Sequence, residues 1–153
     1  MAGSAGGEPA RLAGDAAATV RGLALSFPEA FEDHPFGPTD HVFKIGPKRM
    51  FGIMDEGPPL RLTVKLTAEE REVALLLPFV REARYVGRYG WVTATVEDTD
   101  GLRAALEWLR ESYWLRAPIG LREAAWAAEP AAQASQLAGD VHSTPPVSQP
   151  TRQ

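Results

Sequence analysis

The chain contains no cysteine among its 153 residues. This absence excludes disulfide bonds, thiolate metal sites and cysteine nucleophiles, and it is typical of proteins from a reducing cytoplasm. No apolar run approaches the roughly 20 residues that a membrane-spanning helix needs. The N-terminal residues also lack the basic start and the continuous apolar segment of a signal peptide. We therefore expect a cytoplasmic protein that has no membrane partner.

The sequence also has little excess charge of either sign. Its formal net charge of -4 argues against a protein that coats nucleic acid indiscriminately. Only the middle third is basic, because residues 40–90 carry nine basic and seven acidic side chains. This small excess permits an anionic partner but does not require one.

The length and the apolar fraction of 44% fit one domain with a real core. We expect that domain to cover residues 8–120. Both ends are poor in large apolar side chains, so residues 1–7 and the tail 127–153 are predicted to be disordered.

Between these ends, the hydrophobic patterns alternate between the two kinds of secondary structure. They predict a helix from Pro9 to Ser26, three strands, a short helix, two strands and a longer helix. Thr67 to Glu70 reads as a capping box, and Asp98 or Thr99 is expected to cap the last helix. This order is typical of an α+β protein with a single two-layer domain, in which helices pack on one face of an antiparallel sheet. The predicted strands begin at His41, Arg49, Leu60, Val80 and Gly90.

Side chains alternate between the two faces of a strand, so sequence position assigns each one to a face. In the strand from Leu60, four apolar residues share one face, and Arg61 and Lys65 share the other. In the following strand, Trp91 falls opposite the apolar set. We therefore expect Trp91 to point away from the helix-covered core, although an aromatic ring on a sheet is more often covered by its own chain.

The motifs of catalysis are mostly missing. No serine-hydrolase elbow, phosphate-binding loop or dinucleotide fingerprint occurs. Asp33-His34 and Asp40-His41 could pass for metal ligands, but without cysteine or helical spacing we interpret them as surface residues around a turn. The sequence therefore predicts no catalytic residue, no metal site and no cofactor. An enzyme that uses Asp33, His34 and His41 is the least favoured alternative.

Five segments, taken in order, resemble the MmcQ/YjbR family of small bacterial proteins: FEDHPFG, HVFKIGPKRMFGIMD, LRLTVKL, YVGRYGWVT and LRESYWLRAP. The resemblance covers about residues 10–118. It implies a CyaY-like or secretion-chaperone-like α+β fold. It also implies a DNA-binding protein without known enzymatic activity.

Two functional hypotheses follow from this resemblance and from the strand faces. The first is a non-enzymatic DNA-binding module that uses a mildly basic sheet face, in which cations neutralise phosphates and Trp91 stacks on a base. The second is a protein-interaction or self-association module that uses the same face around Trp91. The candidate binding residues are Lys44, Lys48, Arg49, Arg61, Lys65, Arg84, Arg88 and Trp91.

Overall fold

The computed structural model of the protein describes residues 2–128. The described residues divide into two units, one that ends at Ala117 and one that begins at Pro118. The predicted tail lies outside the described residues from position 129 onward. The helices are α1 (Ala2–Ser26), α2 (Ala68–Ala74), α3 (Thr99–Arg116) and, in the second unit, α4 (Ile119–Ala128). The strands are β1 (Ala30–Asp33), β2 (Asp40–Ile45), β3 (Arg49–Asp55), β4 (Leu60–Lys65), β5 (Val80–Glu82) and β6 (Trp91–Val96).

The strands form one antiparallel sheet in the order β1-β2-β3-β4-β6-β5, and helices α1 and α3 contact it. This arrangement confirms the predicted α+β class. Strand β1 was not predicted, because it is four residues long and ends in two carboxylates. The predicted strand from Val80 is shorter than expected, since it ends at Glu82 and a loop follows.

Helix α1 begins at Ala2, earlier than the predicted start near Pro9, so the helix includes residues 2–7 that we expected to be disordered. Its buried positions, which start at Ala13 and continue through Ala16 and Val20, follow the predicted helical spacing. Packing of this face accounts for the helix from Ala13 onward. The helix ends at Ser26, as the following Phe-Pro sequence predicts.

The caps of the other helices are close to the prediction, with one difference. Asp98 caps α3 and accepts a hydrogen bond of 2.7 Å from the backbone of Gly101. Thr67 caps α2 and accepts from Glu70 N at 3.1 Å. The reciprocal carboxylate is not that of Glu70, however: Thr67 N donates to Glu111 of α3 at 3.0 Å. The cap of α2 is therefore completed by a residue of α3, which connects the two helices.

The apolar faces of β4 and β6 lie where alternation predicts. Leu60, Leu62 and Val64 are fully buried and pair across the sheet with Val96, Ala94 and Val92. Directly opposite residues on neighbouring strands share a face. The helix-facing core is therefore continuous across the two strands.

Aromatic rings join α1, β3 and α3 at one end of this core. The Tyr113 ring stacks on Phe27 with centroids 4.5 Å apart and meets Phe51 edge-on at 5.2 Å. The Tyr113 hydroxyl also donates a 2.7 Å hydrogen bond to the carbonyl of Pro28, just after α1. Tyr113 thus fixes the end of α1 against α3.

Ser112, the neighbour of Tyr113, lies between strands β3 and β4. The hydrogen-bonded register of these strands runs from Asp55–Arg61 only as far as Ile53–Thr63. Beyond that point the buried Ser112 hydroxyl accepts from Lys65 N at 2.9 Å and donates to Phe51 O at 2.6 Å. A side chain of α3 therefore supplies the link where the two strands no longer bond directly.

We predict that Ser112→Ala lowers the free energy of unfolding by roughly 2–4 kcal/mol, because it leaves the Lys65 amide and the Phe51 carbonyl without their partner. Urea unfolding followed by circular dichroism measures this change. Ser26→Ala is the matched control: its exposed hydroxyl donates to Leu23 O, so its loss should matter much less. Equal effects of the two substitutions would show that Ser112 does not bridge the strands.

Candidate functional site

The cations expected on the sheet face are mostly engaged with neighbouring groups. Lys44 Nζ lies 2.7 Å from a carboxylate oxygen of Asp33, and Arg61 lies 3.5 Å from Asp55. Hydrogen bonds from Lys44 and from the backbone of His34 lower the pKa of Asp33, so this partner stays ionised. The charges of Lys44 and Arg61 are therefore largely balanced within the sheet.

The remaining candidates on the sheet and its hairpin do not converge either. Arg49 donates to the carbonyl of Arg116 at 2.9 Å, and Lys48 is exposed in the turn between β2 and β3. Arg61 and Lys65 lie four residues apart on one strand, which separates them by about 13 Å. The structure thus distributes these residues over the sheet rather than gathering them at one point.

Trp91 does not form the open stacking surface of the DNA hypothesis, because only 4% of this residue is exposed; the alternative, that its own chain covers the ring, is the one observed. The register does place Trp91 opposite Lys65, on the side of the sheet that alternation predicts. Alternation gives the side of a strand but not what covers it. Trp91 is the first residue of β6, near the end of α3, and the Arg116 guanidinium lies 6.0 Å from the centre of its ring. The indole is therefore part of the packed interior.

Two other candidates, Arg84 and Arg88, lie together in the loop between β5 and β6. We call residues 84–89 of this loop the arginine–tyrosine loop. Arg84 lies over the ring of Tyr85 at 5.6 Å, and Arg88 lies over the ring of Tyr89 at 4.9 Å. The tyrosines are 86% and 56% exposed, respectively, and both arginines are exposed. The loop therefore presents two aromatic rings and two guanidinium groups to solvent.

The arginine–tyrosine loop is held by hydrogen bonds on both sides. Ala83 N donates to Trp91 O at 3.1 Å, and Tyr89 N donates to Val86 O at 2.9 Å within a single turn of 3-10 helix. Lys65 Nζ donates to the carbonyl of Tyr89. The Lys65 side chain on β4 thus holds the end of the loop at Tyr89.

Tyr85 stands out in this loop because its φ angle is 67°. That left-handed conformation costs a residue with a side chain roughly 1–2 kcal/mol. A strained backbone at an exposed aromatic residue is found more often where the residue has a function. Tyr85 was not among the residues selected from the sequence, and neither was Tyr89. The arginines were selected, and the tyrosines beside them in the sequence were the available signal.

A second group of polar residues lies at the opposite edge of the sheet, around His41. This buried imidazole contacts the carboxylates of Glu32 and Glu56 through its two ring nitrogens. Burial opposes a charge on His41, but the hydrogen bonds to Glu32 and Glu56 outweigh it and raise the pKa of His41. Burial likewise favours a neutral Glu32, but hydrogen bonds from His41 and Arg21 lower the pKa of Glu32.

The sequence pointed to the two histidines of this group but to the wrong carboxylates. Asp33 lies on the other side of β1, where it binds Lys44, and Glu32 contacts His41 and His34. Glu32 and His34 are two residues apart, so the alternation of a strand was the signal that could have paired them. Because β1 was not predicted, that signal was not read.

With this geometry in place, the chain can be compared with known proteins. A family model for YjbR matches residues 25–115. The chain belongs to the YjbR family. The crystal structure of Deinococcus radiodurans protein DR2400, which carries the family domain DUF419, is similar with a TM-score of 0.57 and 28% identity. The similarity covers 70% of this chain and 82% of that one.

The YjbR match confirms the family that the sequence segments indicated. The matched region contains β1 to β6 and almost all of α3, so it includes both the arginine–tyrosine loop and the His41 group. No curated protein matches the chain. Within residues 2–128, no helix combines the length and apolar character that crossing a membrane requires.

The burial of Trp91 leads to a prediction about stability. We expect Trp91→Ala to lower the free energy of unfolding by about 3–5 kcal/mol, because a large buried ring is removed. Urea denaturation with a circular dichroism signal measures the change. Tyr89→Ala is the matched control, since its ring is largely exposed and should contribute little. A Trp91→Ala protein as stable as the control would mean that the indole is open to solvent after all.

Proposed function

We propose that this protein is a non-enzymatic DNA-binding module and that it contacts DNA through the arginine–tyrosine loop. The observation that carries the proposal is the pairing of two exposed guanidinium groups with two exposed aromatic rings in one short loop. Arginine binds phosphate oxygens, and tyrosine rings stack on unpaired bases. The loop thus offers both kinds of contact that single-stranded DNA provides.

The charge of the loop supports this role. Within residues 2–128, neither Arg84 nor Arg88 forms an ion pair with a carboxylate. The nearby Glu82 is instead paired with Arg71 of α2. Both loop guanidinium groups can therefore bind a phosphate without first breaking an internal ion pair, unlike Lys44 and Arg61. The proposed contact surface is therefore the arginine–tyrosine loop rather than the sheet face.

A single strand fits the loop better than a duplex does. In a duplex the bases are stacked on each other, so an exposed tyrosine can reach them only after unstacking. In a single strand every base offers a face on which Tyr85 or Tyr89 can stack, whatever the sequence. A site with two phosphate contacts and one or two stacked bases would bind single-stranded DNA weakly and with little sequence preference.

A protein-interaction module is the second candidate, with a surface different from the one the sequence indicated. Trp91 is buried, so it cannot be the centre of such a contact. Val73 and Leu76, at the end of α2 and just beyond it, are 58% and 82% exposed. Large exposed apolar side chains favour a protein contact. Self-association of the chain together with no affinity for DNA would support this candidate instead.

The first test of the DNA proposal uses charge. We expect the double variant Arg84→Gln/Arg88→Gln to bind labelled single-stranded DNA more weakly than the original chain in fluorescence anisotropy. Losing two phosphate contacts should also reduce the slope of log K against log salt by about 1.4. The matched control is Lys44→Gln/Arg61→Gln, which removes the same charge from the ion-paired sheet cations and should leave the slope nearly unchanged.

Two outcomes would contradict this proposal. One is the absence of binding by the original chain at about 50 mM salt, where phosphate contacts are strong. The other is an equal loss in the control variant, which would indicate a general effect of charge rather than a site in the loop.

The second test separates binding from stability at Tyr85. Glycine adopts the left-handed conformation without strain, so Tyr85→Gly should fold with no loss in free energy of unfolding. The same variant should lose about 1–3 kcal/mol of binding energy for single-stranded DNA, because one stacking ring is gone. Thermal denaturation and anisotropy measure the two quantities. A less stable variant with unchanged affinity would assign Tyr85 a structural role.

A further inference from the structure

We propose that Glu32, His34 and His41 form a binding site for one divalent transition-metal ion, for which Zn²⁺ is the probe. Ligand atoms of these three residues all lie within 4.8 Å of one another. Two imidazoles and one carboxylate are a donor set that zinc uses in proteins with three protein ligands. The site lies on β1 and β2 and on the short loop between them.

The two histidines converge on the same oxygen of Glu32. His34 Nε2 lies 2.9 Å from Glu32 Oε2, and His41 Nδ1 contacts that oxygen as well. The imidazole rings meet edge to face with centroids 4.8 Å apart. Both nitrogens thus lie next to the same carboxylate oxygen, so the three ligand atoms are close enough to share one ion.

The surrounding residues support the same three ligands. Glu56 contacts Nε2 of His41, the ring nitrogen that faces away from Glu32. Metal-binding histidines commonly donate their other nitrogen to a carboxylate, which fixes the ring and strengthens the ligand. Arg21 lies 2.8 Å from the other oxygen of Glu32, Oε1, and so leaves Oε2 to the site.

The spacing of the ligand atoms, all within 4.8 Å of one another, is close to the spacing of zinc ligands. Ligands at 2.0–2.2 Å from a tetrahedral zinc ion lie about 3.4 Å from each other. Glu32 and His41 are nearly buried, with 9% and 7% of their side chains exposed, whereas His34 is 43% exposed. The exposed His34 is therefore the ligand on the solvent side of the site.

This site is independent of the proposed DNA contact. Its ligands lie on β1, β2 and the loop between them, and the arginine–tyrosine loop follows β5, the strand at the other edge of the sheet. Metal binding can therefore be present whether or not the chain binds DNA, and each proposal can fail alone.

Isothermal titration calorimetry of the untagged full chain with ZnCl₂ tests the site. We expect one ion per chain and at least a tenfold loss of affinity in His34→Ala, whose exposed position makes unfolding a minor concern. Glu56→Gln should weaken binding by roughly 10–100-fold, because it changes only the carboxylate behind His41. With Co²⁺ in place of Zn²⁺, the visible absorption bands of a tetrahedral ion should appear for the original chain and disappear for His34→Ala.

The control is His142→Ala, which removes the third histidine of the chain and lies outside the described residues. Its zinc affinity should equal that of the original chain. The proposal is overturned if the original chain binds zinc no better than His34→Ala, or if His142→Ala loses binding to the same extent. The first result would leave Glu32 and His41 as an internal ion pair alone.

Discussion

The two hydrogen bonds of Ser112 hold the sheet together where its central strands separate. The Ser112 hydroxyl of α3 accepts a hydrogen bond from the backbone of β4 and donates one to the backbone of β3. This part of the helix is therefore fixed in position against the sheet. Tyr113, one position along, contacts the end of α1. Two adjacent residues of one helix therefore set the positions of β3, β4 and α1 relative to one another.

Helix α3 also contacts β6. Arg116, the last residue of the helix that carries Ser112, lies near the start of β6. There its guanidinium donates to Met50 O at 2.8 Å and approaches the ring of Trp91. The indole that was a candidate binding surface in the sequence is buried, and the Arg116 side chain at the end of the same helix lies beside it.

Sequence patterns predicted the elements that depend on local rules. Strand alternation placed Leu60, Leu62 and Val64 inward, and short-range capping rules restricted the cap of α3 to Asp98 or Thr99, of which Asp98 is the one observed. They did not predict coverage by residues distant in the chain, which decides the burial of Trp91. They also missed β1, whose four residues give too short an alternation to recognise.

The same distinction explains which parts of the candidate sites were found. Arg84 and Arg88 were selected because charge is visible in a sequence. The exposure of Tyr85 depends on where β5 ends, and the strand was predicted to continue through this position, whereas Tyr89 lay between two predicted strands. Glu32 and His34 came together only once β1 was known to pair with β2. Glu56, from the turn after β3, reaches His41 through tertiary structure alone.

The two edge strands of the sheet, β1 and β5, limit how another chain can pair with its backbone. An outer strand offers unpaired amide and carbonyl groups on which a foreign chain can extend a sheet, and short, charged strands resist such addition. β1 has four residues and ends in Glu32 and Asp33, and β5 has three and contains Arg81 and Glu82. Neither margin offers a long template for another backbone. The two edges of the sheet therefore disfavour growth into fibres or extended sheets by backbone pairing.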